Sequence, residues 1–547
     1  MESQRSLFAI GLLVVSFLLW QEWQKDYGPQ PAPQAQVEQT TSSHNDANAD
    51  VPMSTDTTGS LPSAVVAAED KVITVSTDTL LVKINTQGGD VVSAKLKKYP
   101  LEQGSEEPMT ILNEQNALLH IAQSGLIGRD GPDETVSGRP IYHVSDTTFT
   151  MQENEDTLVV PLTWQSNTGV SVTKTFTFSR NDHAVEVEYT VNNASSKAIA
   201  MQQYAQLKQT MVGPEGSMFM PTYRGGAYAT EDDRYTKYEF SDIVDENLKE
   251  TTKAGWVAML QHYFVAAWVP PQDEVNQLYS RSLNDTYATI GFTGEMVTIP
   301  ASETGTLKSV LYVGPKDQDK LASLADSLDL TVDYGFLWWL AQPLFGLLSI
   351  IQSFVINWGV TIIIITIIVK GAMYPLTKAQ YESMAKLRAL QPKMQALKDR
   401  YGDDRQKMSQ GMMELYRKEK VNPMGGCFPL LLQMPIFLAL YWVLLESVEL
   451  RHADFIFWIT DLSVKDPYFV LPVLTGASMY LLQKLQPMTI QDPMQQKIMQ
   501  YMPVFMSIFF LWFPAGLVLY WLISNVITLV QAKMIYSAMD KKGLKAK

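Results

Sequence analysis

The sequence of 547 residues has one cysteine, Cys427, and only six histidines, which are scattered along the chain. A single cysteine excludes internal disulfides and a metal cluster held by thiolates. The chain also lacks the HExxH, GxSxG, Walker and dinucleotide-binding patterns, so the sequence predicts no catalytic residues, no metal site and no cofactor. Its formal net charge of −14 argues against a nucleic-acid-binding surface, and we expect no direct sequence-specific contact with nucleic acid.

Two stretches of different chemistry make up the chain. Residues 40–335 are polar, acidic and rich in turn-forming residues, whereas residues 336–547 contain long apolar runs with basic residues clustered between them. Because a chain of this length is too long for one ordinary core, we expect two or more domains.

The N-terminus carries the apolar run SLFAIGLLVVSFLLW after Arg5. No small-residue cleavage site follows closely, so we predict an uncleaved signal anchor and first membrane span over residues 1–24, with the N-terminus in the cytoplasm. Residues 25–65 are rich in Pro, Gln, Thr, Ser and Asp and show no apolar periodicity. This composition predicts a disordered tether.

From about residue 70 the apolar residues recur at every second position. The segments KVITVSTDTLLVKI, VSVTKTFTFSR and HAVEVEYTVNN are typical of strands separated by Gly, Asn and Asp turns. We therefore predict an antiparallel β domain of the sandwich type over residues 66–325. Because this domain follows a membrane anchor, it is expected outside the cytoplasm.

Residues 326–350 bring Phe336, Trp338 and Trp339 next to an apolar run, which is typical of an interfacial helix along the outer headgroups. Five more membrane spans are predicted after it, and Pro514 and Gly516 divide the last long run into two of them. These spans cover residues 351–374, 425–446, 466–485, 497–513 and 515–534. A basic tail, 535–547, ends the chain.

The distribution of lysine and arginine predicts the orientation of the spans. Basic residues crowd the segment 370–420, whereas the loop 446–467 has only Arg451 and Lys465. By the positive-inside rule, both termini and residues 375–421 face the cytoplasm. The predicted fold class is therefore an α-helical polytopic membrane protein of six spans, with an all-β domain inserted after the first span.

Residues 375–421 are predicted to form a cytoplasmic helical hairpin with a turn at YGDD. Met394 in the first arm and Met408 and Met412 in the second recur with leucines at helical spacing. Either the two apolar stripes pack on each other, or the methionine-rich face also receives apolar segments of many sequences, since methionine adapts its shape.

Lys370 lies inside the aliphatic run TIIIITIIVKGAMYPL. A lysine at the centre of a membrane helix costs roughly 2.5–3.5 kcal/mol on insertion scales, so its position calls for an explanation. Thr366 precedes it by one helical turn, and no intramembrane carboxylate is available to neutralise it. Other polar or aromatic residues interrupt neighbouring spans, and together they suggest a hydrated concavity: Gln433, Tyr520, Trp521, Ser524, Asn525 and Thr528. Alternatively, Lys370 extends past Pro375 to the headgroups.

The segments IIIITIIVKGAMYPLTKAQ, KVNPMGGCFPLLLQMPIFLALYWVL, DPMQQKIMQYMPVFM and FFLWFPAGLVLYW resemble the Oxa/Alb/YidC family of membrane-protein insertases. The resemblance is collinear over essentially all of residues 330–547 and extends to the N-terminal anchor. The additional β domain is similar to that of the Gram-negative form, which implies a periplasmic β-supersandwich and a bacterial inner-membrane location.

The resemblance implies a hydrophilic groove among five core spans, open to cytoplasm and lipid. Its characteristic arginine is replaced here by Lys370, which keeps the charge but loses the planar fork that grips a carboxylate at two points. Thr366, Gln433, Tyr520 and Trp521 match other groove positions. The family's apolar exit surface corresponds to Met434, Phe437, Met499, Phe505 and Phe509. Implied partners are nascent membrane proteins, the lipid bilayer, the Sec translocon and, through the short basic tail, the ribosome.

Two other classes of function stay open from the residues alone. Lys370 could be the binding cation of a transporter or channel for small anions, although no internal repeat of the kind typical of transporters is visible. The β domain could instead be a carbohydrate-binding or mutarotase-like enzyme on a membrane anchor. Sugar binding by the soluble domain would support that alternative.

Overall fold

The computed structural model describes residues 51–52, 71–115, 118–134, 138–212, 215–217, 220–402, 404–419, 428–485 and 493–541. The predicted anchor, most of the predicted tether, Cys427 and the last six residues of the predicted tail lie outside the described residues.

Alternating apolar and polar residues form the strands of the β domain. The strands are β1 (Val72–Ser76), β2 (Leu80–Asn85), β3 (Asp90–Pro100), β4 (Pro108–Leu112), β5 (His120–Ile127), β6 (Thr148–Thr150), β7 (Thr157–Gln165), β8 (Val170–Ser179), β9 (Ala184–Asn193), β10 (Ile199–Thr210), β11 (Glu215–Ser217), β12 (Met220–Thr222), β13 (Gly225–Ala229), β14 (Thr236–Tyr238), β15 (Lys249–Lys253), β16 (Trp256–Leu260), β17 (Phe264–Val269), β18 (Val275–Leu283), β19 (Tyr287–Thr293), β20 (Val297–Ile299) and β21 (Thr304–Pro315). Two short helices, α1 (Phe240–Asp245) and α2 (Gln318–Leu324), complete the domain.

Two large sheets form the domain. The 11-stranded sheet has the order β15-β18-β19-β10-β5-β3-β2-β1-β6, with β20 beside β10 and β4 beside β3. The 8-stranded sheet has the order β14-β13-β16-β17-β21-β9-β8-β7. Their apolar faces share one core that includes Ile73 and Val82 from the first sheet and Phe176 and Val187 from the second. The β-rich domain predicted from the period of two is confirmed.

The helical part of the chain follows the β domain. Its helices are α3 (Trp338–Val355), α4 (Trp358–Ala372), α5 (Tyr374–Ala389), α6 (Gln391–Tyr401), α7 (Arg405–Lys418), α8 (Phe428–Glu446), α9 (Val470–Leu485), α10 (Pro493–Phe509) and α11 (Ala515–Lys541). A 3₁₀ turn, Phe510–Trp512, and Pro514 separate α10 from α11, at the break predicted from Pro514 and Gly516.

Length and composition alone would let two helical segments of the described chain cross a membrane, Gly335–Val355 and Ala515–Met539. A third span is added if the pair Trp358–Ala372 and Tyr374–Leu387, which is bent by 61°, is counted as one. The segment Gln433–Glu446 is apolar but shorter. The interfacial stretch predicted over 326–350 thus includes a helix long enough to span.

The predicted cytoplasmic hairpin consists of three helices instead of two. Its first arm is interrupted at Leu390, which caps α6, and Pro392 lies in the first turn of that helix. Because proline removes a backbone donor and restricts the residue before it, a helix break is expected there. Asp404 begins the second arm, and its carboxylate accepts a hydrogen bond from the Lys407 amide at 3.1 Å.

The loop between α8 and α9 joins the helical part to the β domain. Arg451 donates hydrogen bonds to the carbonyls of Pro100 at 2.8 Å and Leu101 at 3.0 Å. Val448 belongs to the core between the two sheets. The imidazole of His262 in the β domain hydrogen-bonds the Leu445 carbonyl of α8 at 3.0 Å. This histidine therefore has a structural role at the contact between the two parts. The β domain is therefore seated on the ends of the helices.

Candidate functional site

Helix α4 positions Lys370. Asn357 caps its first turn by accepting a hydrogen bond from the Val360 amide at 3.0 Å, and the 15-residue helix ends at Ala372. Lys370 lies in the last turn, where a cation interacts favourably with the helix dipole. The chain then bends at Met373 into α5. This bend leaves the end of α4 beside an open space instead of in a continuous straight helix.

That space is a cavity of about 220 Å³ among α4, α5, α8, α9 and α11. Its lining comprises Val369, Lys370, Met373, Thr377, Gln380, Tyr381, Gln433, Met434, Ile436, Phe437, Leu482, Tyr520, Trp521, Ser524, Asn525 and Thr528. Polar and apolar side chains therefore share one concave surface within the helical part.

Helix α11 provides the polar wall of the cavity. Asn525 donates a hydrogen bond to the Ser478 hydroxyl at 3.0 Å, and the Thr528 hydroxyl donates to the Ser524 carbonyl at 2.7 Å. One turn further, Gln531 donates to the Lys370 carbonyl at 3.0 Å. These bonds join α11 to α9 and α4 and hold the polar wall opposite the lysine.

Aromatic rings form the other wall. Phe437 of α8 stacks over Tyr520, with ring centroids 6.0 Å apart, and meets the edge of Trp521 at 4.5 Å. Trp521 also contacts Phe510, at 4.9 Å between centroids. Because such rings are rigid and pack closely, this wall keeps its shape.

The ammonium group of Lys370 has no carboxylate partner in the part of the chain that the structure describes. Its side chain is half-buried and faces the cavity. A charge without a partner in a low-dielectric region is stabilised only by water or by an incoming anion. The cavity is therefore suited to receive a hydrated or acidic chain segment.

The structure brings most of the predicted groove residues together: Lys370, Gln433, Tyr520, Trp521, Ser524, Asn525 and Thr528 all line the cavity. Thr366 does not. It is fully buried in α4, and its hydroxyl donates to the Ile362 carbonyl at 2.5 Å. Because this hydroxyl donates its one proton to a carbonyl of its own helix, it has no donor left for the cavity.

Sequence reasoning missed the part of the lining that follows Lys370, which comprises Met373 at the bend and Thr377, Gln380 and Tyr381 of α5. These residues fall at helical spacing after Lys370, so the stripe on α4 continues past the bend. That spacing is a usable signal, but the predicted hairpin over residues 375–421 places Thr377, Gln380 and Tyr381 outside the membrane.

The residues of the predicted exit surface divide into two groups. Met434, Met499 and Phe505 are exposed, whereas Phe437 and Phe509 pack at the edge of the helical core. Phe505 and Phe509 stack on each other, with ring centroids 6.5 Å apart. Met434 also lines the cavity, and exposed apolar residues of this kind form a surface that lipid or an apolar helix can cover.

The hairpin methionines face inwards. Met394 is buried, and the Tyr416 hydroxyl of the opposite arm lies 4.0 Å from its sulfur. Met408 and Met412 are half-buried, whereas the neighbouring Met413 is exposed. In this structure the arms thus pack on each other.

The comparisons with known proteins agree along the whole chain. Residues 72–347 match the family model described as the YidC periplasmic domain, and residues 350–542 match that of the 60Kd inner membrane protein. The membrane protein insertase YidC of Pseudoalteromonas atlantica is 63% identical, with 100% of both chains covered. That of Shewanella piezotolerans is 55% identical over 100% of both chains.

A solved structure, described as an active YidC insertase with the first transmembrane domain resolved, is similar at 19% identity and a TM-score of 0.36, covering 85% of this chain and 92% of that chain. The family assignment rests on the sequence relatives and the two family models. The chain therefore belongs to the YidC family of membrane protein insertases.

Proposed function

We propose that this protein is a membrane protein insertase that moves short hydrophilic tails of nascent membrane proteins through a hydrated groove and releases their transmembrane helices into lipid. The observation that carries the proposal is Lys370, a cation without a carboxylate partner among the described residues, in a cavity with one polar and one aromatic wall. Nothing in this function requires covalent chemistry or nucleotide hydrolysis.

The proposed topology has six spans, with both termini and the 375–421 hairpin in the cytoplasm. The β domain then lies in the periplasm as a supersandwich, seated on the loop between α8 and α9. The excess of basic residues in 370–420 supports this orientation. Exposed Phe336, Trp338 and Trp339 at the start of α3 favour an interfacial position for that helix, although it is long enough to cross.

In the proposed mechanism, the hairpin first meets a nascent apolar segment. The short extracellular tail of the substrate then enters the cavity, where Lys370 attracts its acidic groups. Gln433, Ser524 and Asn525 offer hydrogen-bonding partners to the tail. Because charge in a hydrated groove keeps part of its solvation, the dehydration penalty of crossing bare lipid is reduced.

Release of the substrate into lipid follows from its own apolarity. Met434 at the cavity and Met499 and Phe505 of α10 offer exposed apolar side chains, along which a helix can leave. Transfer of a span of about 20 apolar residues into lipid lowers its free energy far more than contact with this surface does. The release step is therefore thermodynamically favourable. The Sec translocon is a proposed partner that would deliver substrate helices laterally. The ribosome is a second proposed partner, which would bind the basic tail.

The test combines substitutions at position 370 with the charge of the substrate tail. The purified protein is reconstituted in liposomes with a single-span substrate whose tail is either acidic or neutral. Lys370→Glu should reduce insertion of the acidic tail at least tenfold, since two like charges about 8 Å apart at an effective dielectric of about 20 repel by about 2 kcal/mol. Lys370→Arg should remain active, because the guanidinium keeps the charge and can grip a carboxylate at two points.

Lys370→Ala should fall between these variants, and the neutral tail should be indifferent to every change. The amounts of each variant in the liposomes are matched before comparison. Equal insertion of acidic and neutral tails by the Ala and Glu variants would place the lysine at the headgroups instead and contradict the counter-charge mechanism.

A further inference from the structure

A second cavity, of about 370 Å³, lies where the β domain meets the helical part. Lys316, directly after β21, and Tyr235, directly before β14, line it from the β domain. Trp442 and Glu446 at the end of α8 line it from the helical part. The proposed groove has no residue in common with this cavity, so the groove mechanism leaves it without a role.

Two opposite charges in this cavity are buried and form an ion pair with no hydrogen bond between them. Lys316 is 4% exposed and Glu446 is 9% exposed, and the Lys316 Nζ lies 4.0 Å from the Glu446 Oε2. That separation is beyond hydrogen-bond reach, and no other acceptor for the ammonium group is found among the described residues. By contrast, Lys237 and Asp333 at the same cavity pair directly.

A buried ion pair is costly unless its geometry is close and further hydrogen bonds complete it. The hydroxyl of Tyr235 is also buried and has no hydrogen-bond partner within the described chain. The cavity is thus lined by a buried ammonium, a buried carboxylate and a buried hydroxyl, each lacking full hydrogen bonding. These groups are the complement of a ligand that carries both an anionic acceptor and a cationic donor.

The charges of the lining favour a zwitterion over a simple anion. The cavity has two lysines, Lys237 and Lys316, and two carboxylates, Asp333 and Glu446. His262 also lines the cavity, and burial lowers its pKa to about 4, so its imidazole is neutral at pH 7. A formally neutral site gives no net attraction for a ligand of net negative charge.

The position of the cavity points to a lipid. Gly335 and Trp442 line it, and the exposed aromatic residues Phe336, Trp338 and Trp339 follow Gly335 directly. Aromatic side chains of this kind concentrate at the level of the headgroups. This step rests on the topology proposed above, in which the β domain faces the outer leaflet.

We propose that this junction cavity binds the headgroup of a zwitterionic aminophospholipid of the outer leaflet. The phosphate accepts hydrogen bonds from the Lys316 ammonium and the Tyr235 hydroxyl, and the primary ammonium of the headgroup donates to Glu446. The bound headgroup completes the hydrogen bonding of the open ion pair and bridges the β domain to the end of α8.

The test measures binding of phosphatidylethanolamine to the full-length protein in detergent by native mass spectrometry. Tyr235→Phe, which removes one hydroxyl and keeps the ring, should weaken the tightest phosphatidylethanolamine site about tenfold, as does losing a hydrogen bond to a charged group. The double variant Lys316→Met/Glu446→Gln removes both charges together and should abolish that site. Lys308→Met, at an exposed lysine of β21, the strand that precedes Lys316, is the matched control and should bind as the unsubstituted protein does.

Phosphatidylglycerol, which lacks the amine that donates to Glu446, should bind at least tenfold more weakly at this site. Equal affinity for the two lipids would overturn the assignment of a zwitterion. Displacement of phosphatidylethanolamine by millimolar inorganic phosphate would overturn the lipid in favour of free phosphate. Unchanged binding in both Tyr235→Phe and the double variant would overturn the site itself. Because binding is read directly, these outcomes are independent of whether the groove inserts substrates.

Discussion

At the scale of single residues, Lys174 shows how the β domain accommodates a fully buried cation. Its ammonium donates three hydrogen bonds, to the carbonyls of Gly88 at 3.0 Å, Gly89 at 2.8 Å and Ser124 at 3.0 Å. An ammonium has three donors, so all are used. Burial nevertheless lowers the pKa of Lys174 to about 7, although Asp90 partly offsets this.

This burial predicts a pH dependence of stability. The folded pKa of Lys174, about 7, lies below the ordinary 10.5, so between these values the unfolded chain binds the additional proton. The free energy of unfolding should therefore rise with pH from about 7 towards 10.5, by at most about 1.4 kcal/mol per pH unit. Urea unfolding of the full-length protein in detergent, followed by tryptophan fluorescence at pH 7, 8 and 9, measures this slope.

Lys174→Met should flatten the slope, whatever it does to the absolute stability. Lys83→Met, at an exposed position of β2, should leave it as it is. Asp133, Arg139 and Asp90 form the charged surroundings of Lys174 and are retained in both variants. If the free energy of unfolding changes with pH equally in the unsubstituted protein and in Lys174→Met, the lysine does not titrate in this range.

Single residues also show what sequence reasoning can find. Lys370 is recognisable because a charge inside an aliphatic run is visible without any fold, and Tyr520 and Asn525 are recognisable as a stripe on one helix. Thr366 shares the helical face of Lys370 but donates to Ile362, a contact that depends on local helix geometry. Thr377 escaped notice because the bend at Met373 carries it into the cavity from another helix.

At the scale of elements, close contacts between helices rest on small residues. A Cβ added to Gly476 of α9 would lie 2.6 Å from the Ser507 Cβ of α10 and 3.3 Å from the Pro503 carbonyl. Backbones approach this closely only where side chains are absent or small. Gly476 therefore sets the distance between α9 and α10.

Gly476→Val should force these two helices apart and lower stability by about 1–3 kcal/mol, the usual cost of overpacking. The measurement is the thermal unfolding midpoint in detergent, together with protein abundance in the membrane. Ser507→Gly added to Gly476→Val should recover part of the loss, because it removes the atom that the new side chain meets. Gly346→Val is the matched control, since a Cβ there meets nothing within 4 Å. A stable Gly476→Val protein, or one that Ser507→Gly makes worse, would contradict this contact.

The helix boundaries were predictable where proline, glycine or turn-forming residues interrupt the helical pattern. Pro514 and Gly516 predicted the break between α10 and α11, and the turn before Asp404 predicted the hairpin. Pro392 also indicates the break at Leu390, which it follows closely. The helical spacing of the leucines across this point, however, favours one continuous helix. Local residues thus specify where elements end, whereas the direction of the next element is decided by packing.

At the scale of the whole molecule, the two parts of the chain meet through contacts that no local pattern reveals. Arg451 reaches Pro100 and Leu101 across a separation of about 350 residues. Val51, from the predicted tether, is buried against Ile127 and Tyr204 of the β domain. Such contacts depend on the completed fold, so the sequence predicted the domains and not their junction.

The β domain should nevertheless be dispensable for insertion, because the helical part alone provides the whole lining of the cavity around Lys370. The variant deletes residues 70–315 and joins the predicted N-terminal anchor to the 326–348 region by a flexible linker. It should lose stability, since the junction hydrogen bonds of Arg451 contribute about 1 kcal/mol each, but retain insertion of the acidic-tail substrate. Insertion is scored in the liposome assay, with folding checked by thermal unfolding. Lys370→Glu in the shortened protein is the control, and it should block the acidic tail as it does in the full chain. If the shortened protein is folded and abundant but inserts no substrate, the β domain takes part in insertion and the groove alone is insufficient.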